Sequence, residues 1–294
     1  MMRRFLTLTF LFLVIIANSQ DKRKVIIDAD TGNEVDDLYA IVRGVLEPSW
    51  EVLALNGTQW QVSHWAVENS MEESHRLNMM LLAYLGIKDV KLCRGSAERL
   101  FDWGNKERHS EAAYEIIKQA HKMPAGEKLA VVTLGALTNV ASAVLIDPEI
   151  EDKIAVYWLG SSYDFEKKKS KRIDFNAVMD VQATDMMLSS NVEMHIIPVN
   201  VAAKIKYGFE ETEQQIAGKH RVCDFLLDRW ENHLDPGRYE RTLWDLGIIQ
   251  ALIYPDKVTE VKGTGFDNPN IWLYSDIDAE FFKEDFFKTI SKIY

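Results

Sequence analysis

Short apolar segments alternate with longer amphipathic segments along most of the sequence. Residues 24–28 form an apolar run that predicts a buried strand, and residues 38–45 then place apolar side chains at helical spacing. The same pattern predicts further strands at residues 52–55, 90–93, 129–134 and 154–159, and further helices at residues 64–85, 111–121 and 137–145. Because repeated strand–helix units build parallel sheets covered on both faces, we predict an α/β fold with a mainly parallel open sheet flanked by helices.

The sequence carries no sign of a boundary between domains. It shows no internal repeat, no linker rich in Pro or Gly and no abrupt change in composition. Its 294 residues, of which 47% are hydrophobic and 27% charged, suit one large globular domain. We therefore predict a single domain over residues 20–294 and expect its ligand beyond the carboxyl ends of the strands. The most polar segment, residues 166–172, is predicted to be a solvated loop.

Residues 1–19 have the composition of a secretory signal peptide. Arg3 and Arg4 precede a mostly apolar run over residues 5–17, and small residues then lead to Ser19. The alternative is an uncleaved membrane anchor, but this run has about 13 residues and a transmembrane helix needs about 20. We therefore expect cleavage after Ser19, an exported protein that is periplasmic or secreted, and no membrane partner after cleavage.

Overall composition restricts both the partners and the cross-links of the protein. The chain has 45 Asp and Glu residues against 34 Lys and Arg residues, for a formal net charge of -11. Proteins that bind DNA or RNA usually carry a basic surface for the phosphates, so we expect no nucleic-acid partner. Export would permit a disulfide between Cys93 and Cys223, but separate buried thiols are equally consistent with the sequence, and we predict no bond.

Five acidic residues fall within residues 28–37, immediately after the first predicted strand. Such crowding costs free energy through like-charge repulsion unless a cation neutralises it. Carboxylate oxygens are the ligands that hard divalent cations prefer, and Gly32 is expected to let the backbone turn sharply between them. The alternative is that Asp36 and Asp37 only cap the following helix, which would explain two of the acids but not five. The segment therefore predicts a site for a divalent cation.

This segment resembles the signature of the nucleoside hydrolase family, in which an apolar strand runs into Asp-x-Asp, a Gly and a closing Asp-Asp. The loop here is a little longer than the shortest family form. Three further elements follow in the order of the family. They are a Gly-x-Leu-Thr-Asn turn at residues 134–139, an element similar to Glu-Phe-Asn at Asp174, Phe175 and Asn176 with Asp180 downstream, and Trp244-Asp245 at the start of a helix. Four elements in order are far more specific than any one of them, and the resemblance spans roughly residues 24–290.

The resemblance implies an enzyme with a Rossmann-like core that hydrolyses the N-glycosidic bond of ribonucleosides to free base and ribose. It implies Ca²⁺ as the cofactor and a small-molecule ribonucleoside as the partner. Asp30 would be the general base and also a metal ligand. Asp37, Asp245 and the backbone carbonyl of Leu134 would complete the share of the protein in the coordination of the metal.

The resemblance also implies which residues bind the sugar. Asp36 would bind the ribose 2′-hydroxyl, Asn176 the 3′-hydroxyl and Asp174 the 5′-hydroxyl, while Asp28 would orient its neighbours. Asn33 could reach the sugar as well, although stabilisation of the loop is the commoner role for Asn at a turn.

The sequence departs from the family pattern at three positions. Asp174 replaces a Glu, which shortens the side chain that would reach the 5′-hydroxyl, and Lys168 stands near the place of a usual Asn. Trp244 stands where the nonspecific branch has a His, as in the purine-specific branch, so the resemblance implies purine nucleosides as favoured substrates. Trp244 could equally be a packing residue. Three more tryptophans near predicted strand ends are candidates for a second wall around the base, namely Trp60, Trp65 and Trp103.

Two other functions remain open on the sequence. One is hydrolysis of another N-ribosyl compound, because Asp174 and the Lys-rich segment change the 5′ side of the expected pocket. The other is an exported, non-catalytic, calcium-dependent sugar or nucleoside binding protein on the same scaffold. Family members are commonly dimers or tetramers, so the resemblance also implies a homo-oligomer, although no feature of the sequence shows an interface.

Overall fold

The computed structural model describes residues 22–100, 106–234 and 236–294. The strands in these residues, numbered in chain order, are β1 (Arg23–Ala29), β2 (Trp50–Gly57), β3 (Lys91–Arg94), β4 (Leu129–Thr133), β5 (Ile154–Leu159), β6 (Ser162–Asp164), β7 (Lys169–Lys171), β8 (Glu193–Ile197), β9 (Lys206–Gly208), β10 (Glu240–Thr242), β11 (Val258–Lys262) and β12 (Ile271–Ile277). The α-helices are α1 (Asp36–Val45), α2 (Ser70–Leu85), α3 (Glu111–Ala120), α4 (Thr138–Ile146), α5 (Phe175–Met179), α6 (Val181–Met187), α7 (Val199–Ala202), α8 (Phe209–Ile216), α9 (Arg221–Asn232), α10 (Leu246–Ile253) and α11 (Ala279–Ile290). Short 3₁₀ helices lie at Pro148–Ile150, Pro255–Lys257 and Ser291–Ile293.

One large sheet organises the described chain, with its strands in the order β11-β12-β8-β5-β4-β1-β2-β3. Neighbouring strands are parallel except β11 and β12, which are antiparallel at one edge. Successive residues of a strand point to opposite faces, so each face has its own buried cluster. In β4, Ala130 and Val132 belong to one cluster, and Leu129 and Val131 to the other. The predicted α/β fold, with a mainly parallel sheet flanked by helices, is confirmed.

The strand order reverses between β1 and β4. From β1 the chain adds β2 and β3 on one side, and it then returns to add β4, β5 and β8 on the other side. Open α/β sheets bind ligands at such a reversal, outside the carboxyl ends of the strands. Asp28 near the end of β1 pairs with Thr133 at the end of β4. The acidic segment and the segment that begins at Leu134 therefore leave the sheet side by side.

Two predicted elements differ from the structure. The helix predicted over residues 64–85 begins only at Ser70, because the Asn69 side chain accepts a hydrogen bond from the backbone N–H of Glu72 and caps it there. Residues 166–172, predicted as a loop, contain β7, which pairs with β6 in a small hairpin. The lysine side chains of this segment are exposed, as expected, since hairpin pairing uses only the backbone.

Three further predictions concern the cysteines, the membrane and the N-terminal segment. Cys93 and Cys223 are both buried free thiols. Within the residues described, no helix combines the length and the apolar character that crossing a membrane requires. The predicted signal peptide, residues 1–19, lies outside the described residues.

Candidate active site

An open pocket with a cavity volume of about 260 Å³ lies at the carboxyl edge of the sheet, where the strand order reverses. The pocket brings together the residues that the sequence predicts for the general base, the metal and the sugar, together with Trp244: Asp30, Asn33, Asp36, Asp37, Leu134, Asp174, Asn176, Trp244 and Asp245.

Four lining residues were not predicted, namely Glu34, Leu159, Phe175 and Val199. Glu34 and Phe175 stand inside two of the recognised motifs, so their position beside predicted site residues was the available signal. Leu159 ends β5 and Val199 begins α7, and neither carries a signal of its own in the sequence.

The acidic segment reaches the pocket through a tight turn after β1. The backbone N–H of Asn33 donates to the carbonyl of Asp30 at 2.8 Å, and α1 starts a few residues later. Gly32 does not adopt the left-handed conformation that would explain a glycine at a sharp turn. A Cβ atom there would lie 2.8 Å from Cγ of Glu73 and 3.2 Å from the ring of Trp60. The turn therefore lies where the sequence predicts it, at Thr31 and Gly32, and glycine is favoured there by the lack of space and not by a left-handed backbone.

Carboxylates crowd the floor of the pocket. Asp36, Asp37 and Asp245 each place one carboxylate oxygen so that these oxygens lie within 4.8 Å of one another. Oδ2 of Asp30, Oδ1 of Asp37 and Oδ1 of Asp245 are buried and have no hydrogen-bond partner in the described part of the chain. A buried carboxylate without a partner is costly, so this floor favours a positive charge that the described residues do not supply.

The electrostatics and the donor set fit a divalent cation. Burial raises the pKa of Asp30, Asp37 and Asp245 well above the usual range, and the charges of neighbouring carboxylates raise it further. Burial, with the charge of Glu34 second, raises the pKa of Asp36 to about 7. A cation among these groups would favour the charged carboxylates and so lower these pKa values again. Because every available ligand atom is an oxygen, the floor suits a hard cation such as Ca²⁺ or Mg²⁺.

The segment after β4 adds a backbone carbonyl to the same floor. The N–H of Leu134 donates to the carbonyl of Asp28 at 2.8 Å, which holds the two segments together. A Cβ atom at Gly135 would lie 2.7 Å from Cγ of Asp30, so glycine lets the Asp30 carboxylate approach closely. Asn176 donates from Nδ2 to the Leu134 carbonyl at 2.6 Å. A carbonyl oxygen has two lone pairs, so one remains for a cation.

Asp174 lies in the pocket wall as the cap of helix α5. Its Oδ1 accepts from the backbone N–H of Ala177 at 3.2 Å, and its Oδ2 accepts from the backbone N–H of Ser161. Burial raises the pKa of Asp174 to about 6, although these backbone hydrogen bonds oppose the rise. Both oxygens of this short side chain are therefore already engaged in holding the wall together.

Side chains from the recognised motifs also join the segments behind the pocket. Asp28 accepts from the Thr58 hydroxyl at 2.6 Å and from Nδ2 of Asn139 at 2.9 Å. Thr138 donates to Asp180 at 2.7 Å. These buried bonds connect the acidic segment, the turn after β4 and the segment after α5, so they fix the loops that carry the site.

The tryptophans named from the sequence take different places. Trp244 is half-buried and lines the pocket. Trp60 is buried beneath the acidic segment and donates to the Ser74 hydroxyl at 3.3 Å, so it is a packing residue and not a wall. Trp65 stacks on Phe175, with ring centroids 5.5 Å apart and an interplanar angle of 19°. Trp103 lies outside the described residues.

Curated relatives of the chain are described as nucleosidases. A probable uridine nucleosidase 1 from Oryza sativa subsp. japonica is 25% identical over 276 residues, which cover 84% of this chain and 82% of the relative. A probable uridine nucleosidase 2 from Arabidopsis thaliana is 24% identical over 272 residues, which cover 83% of this chain and 81% of the relative.

Solved structures share the fold. A purine-preferring ribonucleoside hydrolase from Gardnerella vaginalis has a TM-score of 0.73 and 21% identity, over 92% of this chain and 99% of that chain. An inosine-uridine preferring nucleoside hydrolase from Bacillus anthracis has a TM-score of 0.67 and 17% identity, over 92% and 99%. The family model for inosine-uridine preferring nucleoside hydrolases matches residues 25–265. Since this match covers most of the chain, and the pocket holds the residues of the signature, the protein belongs to the nucleoside hydrolase family.

Proposed function

We propose that this nucleoside hydrolase depends on Ca²⁺, favours purine ribonucleosides and acts after export, in the periplasm or outside the cell. Its family establishes the reaction class, the hydrolysis of the N-glycosidic bond of a nucleoside. The observation that carries the proposal is the set of buried carboxylate oxygens without partners on the pocket floor. They form a place for a cation on the floor of the open pocket.

The reaction needs a nucleophilic water and stabilisation of the positive charge that develops on the ribose, as in glycosidases. Asp30 is the proposed general base, because its Oδ2 is buried at the floor and has no partner in the described chain. Asp30, Asp37, Asp245 and the Leu134 carbonyl are the proposed ligands of the cation. When bound, Ca²⁺ supplies Lewis-acid activation of the attacking water and orients the ribose diol.

The same wall offers the groups proposed for the sugar hydroxyls. Asp36 accepts from the 2′-hydroxyl in this proposal, Asn176 binds the 3′-hydroxyl and Asp174 the 5′-hydroxyl. Carboxylates around the ribose also favour the positive charge of the transition state. Because Oδ1 of Asp174 caps α5 and its Oδ2 accepts from the backbone N–H of Ser161, this short side chain is fixed in the wall, and we expect its hold on a 5′-hydroxyl to be weak. This observation favours a second candidate substrate class, N-ribosyl compounds altered on the 5′ side.

The preference for purines rests on Trp244. No histidine lines the described pocket, so no imidazole stands ready there to protonate the leaving base. An indole stacked on a purine raises the affinity of the base for a proton, and Trp244 stands in the wall where such stacking is possible. The plant relatives are named for uridine and the Gardnerella vaginalis enzyme for purines, so the base preference of this chain calls for a direct assay.

The assay uses the purified protein without residues 1–19, with inosine, guanosine, adenosine, uridine and nicotinamide riboside as substrates. We expect the purine nucleosides to have the highest kcat/KM. Activity should vanish in excess chelator and return with Ca²⁺ more fully than with Mg²⁺. A higher kcat/KM for uridine than for the purine nucleosides would contradict the purine preference. Full activity in chelator would contradict the metal dependence. Ribose binding without cleavage of any compound would contradict catalysis by this chain.

A substitution separates stacking from packing at Trp244. Trp244→Ala should lower kcat/KM for inosine at least tenfold while changing the affinity for free ribose little. Equal losses in both measurements would instead assign Trp244 to packing. Trp272→Phe on β12, outside the pocket lining, serves as the control for loss of an indole.

Export is tested on the protein made from the full chain in a Gram-negative host. We expect most of it in the periplasmic fraction or the medium, with an N-terminus at Gln20. Intact protein with Met1 in the cytoplasmic fraction would contradict the proposed signal peptide.

A further inference from the structure

Asn33, in the lining of the pocket, is held by hydrogen bonds from two sides. It lies in the acidic loop, in the stretch between Gly32 and α1, and it is 6% exposed. The indole Nε1 of Trp65 lies 3.1 Å from Oδ1 of Asn33, and Nε2 of His233 lies 2.7 Å from its backbone carbonyl oxygen. These partners come from the loop after β2 and from the end of α9, so three separate parts of the chain meet at this one residue.

The clamp from Trp65 fixes which way the amide of Asn33 faces. An indole N–H can only donate, so the amide atom that it meets must be the oxygen Oδ1. Trp65 is held in turn by stacking on Phe175 of the pocket wall, and its backbone N–H donates to Ser63 at 3.3 Å. The indole therefore joins the acidic segment to Phe175 of α5.

The clamp from His233 fixes the backbone of the same residue. Nη2 of Arg229 lies 2.9 Å from Nδ1 of His233, and a guanidinium can only donate, so Nδ1 is the accepting nitrogen. The proton of the neutral ring is then on Nε2, which donates to the Asn33 carbonyl. Burial lowers the pKa of His233, in agreement with a neutral ring. Arg241 also donates to the backbone carbonyl of His233 at 2.9 Å.

With its oxygen held by Trp65, Asn33 has one group left for a ligand. No described residue accepts a hydrogen bond from its Nδ2, although the side chain lines the pocket. The other amide of the wall, Asn176, already donates from Nδ2 to the carbonyls of Leu134 and Leu159. Carboxylates around a ribose accept the protons of its hydroxyls, which leaves the lone pairs of the hydroxyl oxygens in need of a donor.

We propose that Trp65 and His233 are positioning residues that hold the Asn33 amide so that its Nδ2 donates to a ribose hydroxyl oxygen. This inference rests on the proposed function of the pocket. It assigns a role in substrate binding to two residues that do not line the pocket themselves.

A double-mutant cycle on ribose binding tests the clamp, with calorimetric titration of D-ribose in the presence of Ca²⁺ and, in parallel, kcat and KM for inosine. Trp65→Phe keeps a ring against Phe175 but removes the indole N–H. We expect it to weaken ribose binding and raise KM about 3- to 10-fold, with kcat changed less than about twofold. Asn33→Ala should do the same, and adding Trp65→Phe to Asn33→Ala should cause no further loss.

His233 is tested with a pair of substitutions that differ in one donor. His233→Phe should weaken ribose binding by a similar factor, whereas His233→Gln, whose amide nitrogen can replace Nε2, should restore most of it. His109→Phe, at an exposed histidine outside the pocket lining, is the matched control and should change nothing. Thermal unfolding of each variant verifies that the fold is intact.

The outcomes separate this inference from the proposed function. Additive losses in the cycle, or equal losses in His233→Phe and His233→Gln, would overturn the clamp even if the enzyme hydrolyses purine nucleosides. If the wild-type protein binds ribose but cleaves no nucleoside, the proposed function fails, and the cycle on ribose binding still decides the clamp. If the wild-type protein does not bind ribose, the inference is wrong.

Discussion

Helix α1 has a buried charged cluster at each end, and the two clusters differ in what compensates their charge. At its C-terminal end, the guanidinium of Arg43 donates to Asp285 at 2.6 Å and to Glu47 at 2.9 Å. Asp285 also accepts from the Tyr254 hydroxyl at 2.6 Å and from Nε2 of Gln250 at 2.8 Å. At the N-terminal end, carboxylates face other carboxylates, and buried oxygens are left without partners in the described chain.

The pKa values follow the same division. Burial raises the pKa of the Asp285 carboxyl, but the hydrogen bonds and charge of Arg43 outweigh it, so the pKa ends below its usual range. At Asp37 and Asp245 burial is joined by like charges, and the pKa lies well above its usual range. The chain thus provides its own cation, Arg43, where α1 packs against α11. At the pocket, the residues that the structure describes provide no cation, which suits a floor that takes one up from solution.

The largest effect is expected from removing the proposed base at the pocket. Asp30→Asn should lower kcat for inosine by roughly 10²- to 10⁴-fold, because the amide cannot accept the proton of the attacking water. Much of the Ca²⁺ affinity should remain, since the other proposed ligands are intact, and calorimetry measures it. Asp256→Asn, at an exposed aspartate, is the control. Unchanged turnover would refute the role of Asp30.

The same chemical change at the other cluster should affect stability instead of turnover. Asp285→Asn leaves the buried Arg43 with the Glu47 carboxylate alone and should lower the free energy of unfolding by up to about 3–5 kcal/mol. Urea unfolding followed by circular dichroism measures this, and kcat of the folded fraction should stay near the wild-type value. A loss of less than about 1 kcal/mol would remove the distinction between the two clusters.

Removing one carboxylate from the pocket floor should change the free energy of unfolding in a direction that depends on whether Ca²⁺ is present. In chelator, Asp245→Asn relieves repulsion and should leave the protein at least as stable as the wild type. With Ca²⁺ at about 100 times its Kd, the wild type should gain about 3 kcal/mol and the variant much less. Unfolding curves with and without Ca²⁺ provide both values. An equal gain in the two proteins would place the cation elsewhere.

The smallest effect is expected from a third charged cluster, outside the pocket lining, whose contribution to stability depends on pH. His195 lies between Glu193 at 3.0 Å and Glu260 at 2.5 Å. Burial lowers its pKa, but these two carboxylates raise it more, so the pKa in the folded state is above the usual 6.5. The stabilisation is complete below about pH 6.5 and is lost as the pH rises through the folded-state pKa. His195→Gln should therefore destabilise the protein more at pH 6 than at pH 9, and a difference independent of pH would contradict this account.

The sequence predicts much of the fold because strand and helix periodicity is local. Residues 24–28 and 129–134 were placed correctly as strands that meet at the centre of the sheet. The sequence does not predict the helix start at Ser70, because apolar residues already occur in the loop before the Asn69 cap. At the site, the motifs predicted nine of the lining residues, because the residues of each motif lie close together in the sequence.

Contacts between distant segments explain what was missed. Arg43 and Asp285 are 242 positions apart, and His233 and Asn33 are 200 apart. No spacing rule connects such residues, since only the folded sheet brings their helices and loops together. Likewise, the sequence predicts the turn at Gly32 but not the Trp60 ring packed against it, because chain order does not show which distant side chains limit the space at a residue.

The most direct test is a crystal structure of the processed protein grown with excess CaCl₂, with the anomalous signal used to locate calcium. We expect one ion on the pocket floor, bound by the carboxylates of Asp30, Asp37 and Asp245 and by the carbonyl oxygen of Leu134, at the 2.3–2.6 Å typical of calcium. A floor without an ion under these conditions, or an Asp245 side chain turned away from it, would contradict the account.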